Sequence, residues 1–187
     1  YYAANLISAI LLASTICFYF FIYTIWLKRK TPQNIVIGGA SGALPPVIGW
    51  TIATNSLTFE PITFFLIIFF WTPSHFWALS LYKSDDYKKA KIPMLPLTNG
   101  VESTKINIFV YSLLMLPVII FPYLIDFVGL AFLIPSILLT LYYNFLCYEL
   151  YNFKKNKFNP KKAKSIFGYS ILYLFLVFVL FLIDKII

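Results

Sequence analysis

Six runs of about 20 predominantly apolar residues, joined by short loops, constrain this chain more than anything else in it. They fall at about 3–27, 34–52, 60–81, 106–123, 127–150 and 166–185. Each is long enough to carry a helix across a hydrocarbon core roughly 30 Å thick. In that medium a backbone must satisfy its own hydrogen bonds, which leaves helices and closed barrels as the only spanning structures. A soluble alternative fails on composition. The 187 residues are 60% hydrophobic and 12% charged with mean hydropathy +0.81, more apolar surface than one soluble core can hide. The expected fold is all-α, a polytopic membrane helix bundle in one membrane-embedded domain over 1–187, with the lipid bilayer as its first partner.

Charge then orders the spans. Lys28, Arg29 and Lys30 follow the first; Lys83, Lys88, Lys89, Lys91 and Lys105 surround the third loop; Lys154, Lys155, Lys157, Lys161, Lys162 and Lys164 fill the fifth. Fourteen of the fifteen basic residues therefore sit on alternate loops, and only Lys185 lies opposite. The positive-inside rule places these loops in the cytoplasm or its organellar equivalent, with both ends of the chain outside. The formal charge of +8 thus reports orientation and excludes nucleic acid as the partner. Cys17 and Cys147 fall within apolar spans, with no metal-site or disulfide spacing, and read as packing residues.

The loop and span residues that bear chemistry are few. Asp85 and Asp86 stand side by side where the third span meets water, in a chain with seven acidic residues. Adjacent carboxylates suit Mg²⁺, a hard cation that binds through carboxylates and substrate phosphates. The plainer reading is a solvated loop whose acids balance Lys83, Lys88 and Lys89. Lys28 and Arg29 suit phosphate, Arg29 by a bidentate contact; the plainer reading is a topology marker. Thr31 adds a hydroxyl, and Asn34 is placed to cap the next helix or touch a ligand. The run IVIGGASGALPPVIGW at 35–50 spaces Gly38 and Gly42 for close helix packing and lacks the Lys-Ser/Thr of a phosphate-binding loop. The second span, with these glycines and prolines, and the third, with Pro73 and His75, are irregular enough to line an interior. His75, the sole histidine, reads either as an interhelical hydrogen-bonding residue or as a functional group. A continuous helix would separate it from Asp85 by about 15 Å, so it would meet the body of a ligand and not its phosphates. Tyr82 and Lys83 complete the candidate substrate-binding set.

With these stretches in view, the chain resembles the protohaem IX farnesyltransferases, the haem O synthase branch of the UbiA superfamily of intramembrane prenyltransferases. YTIWLKRKTPQNIVIGGASGALPPVIGW at 23–50 and HFWALSLYKSDDYKKAKIPMLP at 75–96 carry the resemblance, and 163–184 supports it more loosely. The resemblance implies a bundle of nine helices around a central cavity, of which six are present. It implies transfer of the farnesyl group of farnesyl diphosphate to a vinyl group of haem B, with water added and pyrophosphate released, assisted by Mg²⁺. Asp86 and Asp85 would be the metal-binding and catalytic acids of the second acidic motif. The family more consistently keeps an acid at the position of Asp86, and the spaced DxxxD of many relatives is absent here. Lys28 and Arg29 match the basic pair facing the phosphates, and Lys91 stands where a small residue such as glycine is common. The expected N-D-x-x-D-x-x-x-D motif occurs nowhere in the chain. The resemblance therefore leads us to expect about three further N-terminal helices and an inactive polypeptide in their absence. Trp71, Phe76 and Trp77 would shield a cationic centre, or simply pack. The implied location is a bacterial inner (plasma) membrane, or a mitochondrial inner membrane, with haem A synthase or oxidase assembly proteins as partners. Competing readings are a transferase acting on a quinone precursor or chlorophyll-like ring, and a non-catalytic scaffold or transporter.

Overall fold

A computed structural model describes residues 4–155 and 157–187. It contains six spanning helices and, among the described residues, no strand. The elements are α1 (Leu6–Leu27), α2 (Asn34–Gly42), α3 (Pro45–Thr54), α4 (Glu60–Tyr82), α5 (Ser84–Lys89), α6 (Leu95–Thr98), α7 (Gly100–Leu124), α8 (Leu130–Tyr151) and α9 (Pro160–Ile186). The protein is therefore an all-α, multi-pass membrane protein. α2 and α3 together make the second span, broken ahead of Pro45 and Pro46, because neither proline has an N–H to continue the hydrogen-bond ladder of α2. α7 and α9 begin six residues earlier than hydropathy suggests, at Gly100 and Pro160. Their first turns are polar and stand at the basic end of the bundle, where hydropathy is blind and a helix can still propagate.

The buried core is built by α4, α7, α8 and α9, which pack in the order α7–α4–α9–α8 and close back from α8 to α7. Large side chains such as Trp77, Tyr143, Tyr173 and Phe132 fill it. Hydroxyls bind across the helices: Ser74 pairs with Tyr143 at 2.8 Å and Thr140 with Tyr173 at 3.0 Å. Around Pro73 in α4, hydroxyls also bond within the helix, Thr72 donating to the carbonyl of Ile68 and Ser74 to that of Trp71. α1 and α2 lie at the periphery, α2 against α4 and α1 against α2 and α3. From Phe18 to Leu27, α1 widens to π-helical bonding, closed by the Lys28 N–H donating to the carbonyl of Tyr23 at 2.8 Å. Such widened turns are rare and cluster at functional sites. Cys147 is buried as expected, whereas Cys17 is exposed on the poorly covered α1.

Each end of the bundle is laced by a charged residue. At the end away from the basic loops, the Asp184 carboxylate accepts from the N–H groups of Gly129 and Phe132, capping α8 from a neighbouring helix. Lys185 donates to the carbonyl of Phe127 and lies 4.5 Å over that ring. At the basic end the lacing residue is Lys105. It was expected among the loop lysines, yet it is 0% exposed in the first turns of α7. Its ammonium sits 3.0 Å from the Glu102 carboxylate and donates to the carbonyls of Phe153 and Lys154, at 2.9 and 3.4 Å, and weakly to that of Lys157. The cation thus ties α7 to the loop that follows α8, by carbonyls just beyond the helix end.

Candidate active site

A cavity of about 670 Å³ opens between α1, α2 and α4. Its walls are apolar, with Ile16, Tyr19 and Tyr23 from α1, Gly38 from α2, and Trp71 and Phe76 from α4. Small residues on α2 let the walls approach. A Cβ at Gly38 would lie 2.4 Å from the Tyr23 ring and one at Gly39 3.1 Å from Thr72, so the packing reading holds at Gly38 but not at its expected partner Gly42, where a Cβ would meet nothing within 4 Å and Gly39 serves instead. The two irregular spans do line an interior, as their composition suggested.

The turn at 28–34 sits at the cavity mouth. Lys28 Nζ lies 6.0 Å from the centroid of Tyr23, a cavity-lining ring. Arg29 and Lys30 are exposed. Thr31 serves the turn itself, its Oγ1 accepting from the Gln33 N–H at 3.2 Å. Asn34 is neither the expected cap nor a surface contact. It is the first residue of α2, 1% exposed, and its Nδ2 donates to the carbonyl of Lys28 at 3.0 Å. Asn34 therefore fixes the turn that carries the cations, while its Oδ1 is buried without a hydrogen-bond partner among the described residues.

The acids lie on α5, a short helix that begins after α4 ends at Tyr82. α4 is not continuous to Asp85, which removes the basis of the 15 Å spacing. Asp85 and Asp86 occupy the first turn of α5 and Lys88 and Lys89 its last, the arrangement a helix dipole favours. Both acids are exposed, and Asp86 pairs with Lys83 at 3.3 Å in a solvent-facing bridge worth little on its own. Next to them on α5, Tyr87 is half-buried. Burial first, then the Tyr82 hydroxyl and the Asp86 carboxylate, push its phenol above the ordinary 10.0. Lys28 thus stands beside the cavity ring Tyr23, and Asp86 beside Lys83 and Tyr87, both at the basic end of the bundle. Among the described residues no ion pair joins the acids to Lys28 or Arg29.

His75 stands apart from these groups. It is 7% exposed, stacked between Trp71 at 4.2 Å and Phe167 at 4.6 Å, with Nδ1 2.6 Å from Ser170 Oγ. Trp71 Nε1 donates to the Ser170 carbonyl at 2.8 Å. Both bonds pin α4 to α9, which is the interhelical reading of His75, and they hold Trp71 against the cavity. Tyr82 packs edge-on to Phe167. Of the aromatic candidates, Trp71 and Phe76 line the cavity, whereas Trp77 is 0% exposed and packs on Tyr111.

No group of three or more His, Cys, Asp or Glu side chains converges among the described residues. Asp85 and Asp86 supply two adjacent, exposed, hard oxygen donors, which fits Mg²⁺ provided that a phosphate ligand and water complete its shell.

Residues 1–171 match the model of the UbiA prenyltransferase family. The chain belongs to the UbiA prenyltransferase family. Over 185 residues it is 84% identical to a protoheme IX farnesyltransferase of Pelagibacter ubique (strain HTCC1062), covering 99% of this chain and 61% of that protein. It is 49% identical to a protoheme IX farnesyltransferase of Parvibaculum lavamentivorans, covering 97% of this chain and 57% of the relative. A third, from Neorickettsia sennetsu, is 46% identical with 97% and 58% covered. The chain spans about three-fifths of the length of these curated relatives. No solved structure matches it.

Set against UbiA membership, the sequence reading missed three contributors. Tyr23 and Tyr87 were hidden because tyrosine at a membrane interface is common, although each directly neighbours a charged motif. Lys91 was visible but unexplained. Its φ is +54°, the left-handed region, so glycine suits that turn and this lysine is strained there.

Proposed function

We propose that the chain forms the prenyl-diphosphate side of a protohaem IX farnesyltransferase, joining the farnesyl group of farnesyl diphosphate to a vinyl group of haem B to give haem O and pyrophosphate. The observation that carries this reading is the apolar cavity that reaches Tyr23 beside the Lys28 turn, at the same basic end of the bundle as the acids of α5. Such a junction suits an amphiphile with an isoprenoid tail and a diphosphate head.

In this reading Lys28, Arg29 and Lys83 hold the diphosphate and stabilise the negative charge that grows on it as the bond from farnesyl C1 to oxygen breaks. Asp86 and Asp85 would hold Mg²⁺, which when bound neutralises charge on the leaving pyrophosphate. Asn34 and Thr31 keep the basic turn in place. The vinyl π electrons form the new C–C bond to farnesyl C1, and water adds to the resulting cationic carbon, releasing a proton. Trp71 and Phe76 face the allylic cation with their π surfaces and keep bulk water from it. His75 acts through Trp71, by fixing its ring. The domain is a single membrane-embedded unit in a bacterial inner membrane, its basic end toward the cytoplasm, where haem A synthase or oxidase assembly proteins would take up the product.

The test completes this chain with the part of the Pelagibacter ubique relative that the match does not cover, and supplies farnesyl diphosphate, Mg²⁺ and either haem B or 4-hydroxybenzoate. Mass spectrometry should find haem B increased by a farnesyl group and water, 4-hydroxybenzoate unchanged, and both haem O and pyrophosphate lost in Asp86→Asn. Prenylated 4-hydroxybenzoate, or pyrophosphate release untouched by Asp86→Asn, would overturn it.

A further inference from the structure

We infer that Gly42 sets the length of isoprenoid chain the cavity accepts, an inference that rests on reading the cavity as the prenyl-diphosphate site. Three glycines of α2 line this cavity, and two of them are accounted for by packing, since a Cβ would meet Tyr23 at Gly38 and Thr72 at Gly39. Gly42 has no such reason. A Cβ there meets nothing within 4 Å, the residue is exposed, and its φ lies outside the left-handed region. A Cβ at this cavity-lining position would therefore enter open space and displace no protein atom.

Its depth gives that space a meaning. Along α2, Gly42 lies eight residues beyond Asn34, about 12 Å from the basic end of the helix. On the antiparallel α1, Thr15 and Ile16 precede Tyr23 by eight and seven residues, which carries them to the same distant end of the cavity. The mouth is marked by Tyr23, with Lys28 beside it at 6.0 Å. A diphosphate anchored by the basic turn thus sends its tail from Tyr23 toward Thr15, Ile16 and Gly42. The last isoprene unit of a long tail, and not the first, meets the space left by the missing side chain. Hydrophobic pockets discriminate by roughly 10–200-fold per misfitted methylene, so filling this end should act on chain length selectively.

Gly49 supplies a matched control. It too meets nothing within 4 Å and is exposed, but it lies on α3 and does not line the cavity. The chain, joined to the uncovered part of the Pelagibacter ubique relative as in the activity test, is placed in lipid nanodiscs with Mg²⁺, and binding of geranyl, farnesyl and geranylgeranyl diphosphate is measured by thermal stabilisation. Gly42→Phe should weaken farnesyl and geranylgeranyl diphosphate at least tenfold relative to geranyl diphosphate, with Gly42→Ala intermediate and Gly49→Phe unchanged. Circular dichroism checks helicity; if Gly42→Phe loses it, Gly42→Ala and Gly42→Leu are used to read the same ratio. An equal loss at all three lengths, or no change in the ratio, overturns the role of Gly42 and leaves the prenyl site standing. Failure of the unsubstituted chain to bind any of the three would overturn the prenyl site and this inference with it.

Discussion

Lys105→Met removes the one cation that, among the described residues, the fold buries completely, while keeping most of its apolar stem, and its cost follows from the geometry. The substitution deletes an ion pair at 3.0 Å to Glu102 and a charge-assisted hydrogen bond at 2.9 Å to the Phe153 carbonyl. The contacts at 3.4 and 3.5 Å are too long to add much. Removing one partner of a buried ion pair costs about 3–5 kcal/mol. The Glu102 side chain is 31% exposed, so water recovers part of that loss, and about 3 kcal/mol is the expected value. For a chain of this size about 2–4 °C of melting temperature accompanies each kcal/mol, giving a fall of about 6–12 °C. Thermal unfolding in nanodiscs, followed by circular dichroism, reads it directly. Glu102→Gln in the Lys105→Met background should cost less than the sum of the two single changes, as coupled residues do. A Lys105→Met protein melting within 1–2 °C of the parent, on the same scale, would refute the clamp.

Lys91→Gly should raise stability by about 1 kcal/mol, since it relieves a left-handed residue at φ +54°, and chemical denaturation measures it. Asp184→Ala should lower stability by about 1–2 kcal/mol through loss of the α8 cap, with hydrogen exchange fastest at Gly129 and Phe132. Tyr87 has a phenol held above 10.0, so the neutral form is favoured in the folded state. The stability this supplies is fully present below pH 10 and is lost as pH rises through the folded value, and Tyr87→Phe should abolish that alkaline loss in a pH series of melting curves.

Much of this was legible in the sequence because bilayer physics is simple: apolar length fixes the spans, and the lysine pattern fixes which loops share an end. The proline pair at 45 and 46 gave away the broken second span, and the paired residues 85 and 86 announced themselves by the rarity of acids. What escaped were relations that need three dimensions. Lys105 looks like any loop lysine until α7 is seen to begin at Gly100 and the α8–α9 loop to fold over it. Asn34 sits where a cap is expected, but its amide turns back to Lys28. His75 could have faced a ligand or a helix, and only the position of Ser170, 95 residues on, decides between them. Gly38, Gly39 and Gly42 form one sequence motif with two physical roles, which the neighbours of each missing Cβ separate.

The central claim is that the Lys28 turn and the acids of α5 hold one diphosphate at the mouth of the α1–α2–α4 cavity. Binding of farnesyl diphosphate to the chain in nanodiscs, with and without Mg²⁺, tests it most directly. The account predicts Mg²⁺-dependent binding that falls at least tenfold in both Lys28→Ala and Asp86→Asn, about 1.4 kcal/mol each, and is unchanged in Lys157→Ala on the distant basic loop. Binding that ignores Mg²⁺ and Asp86, or that falls equally in Lys157→Ala, would contradict it.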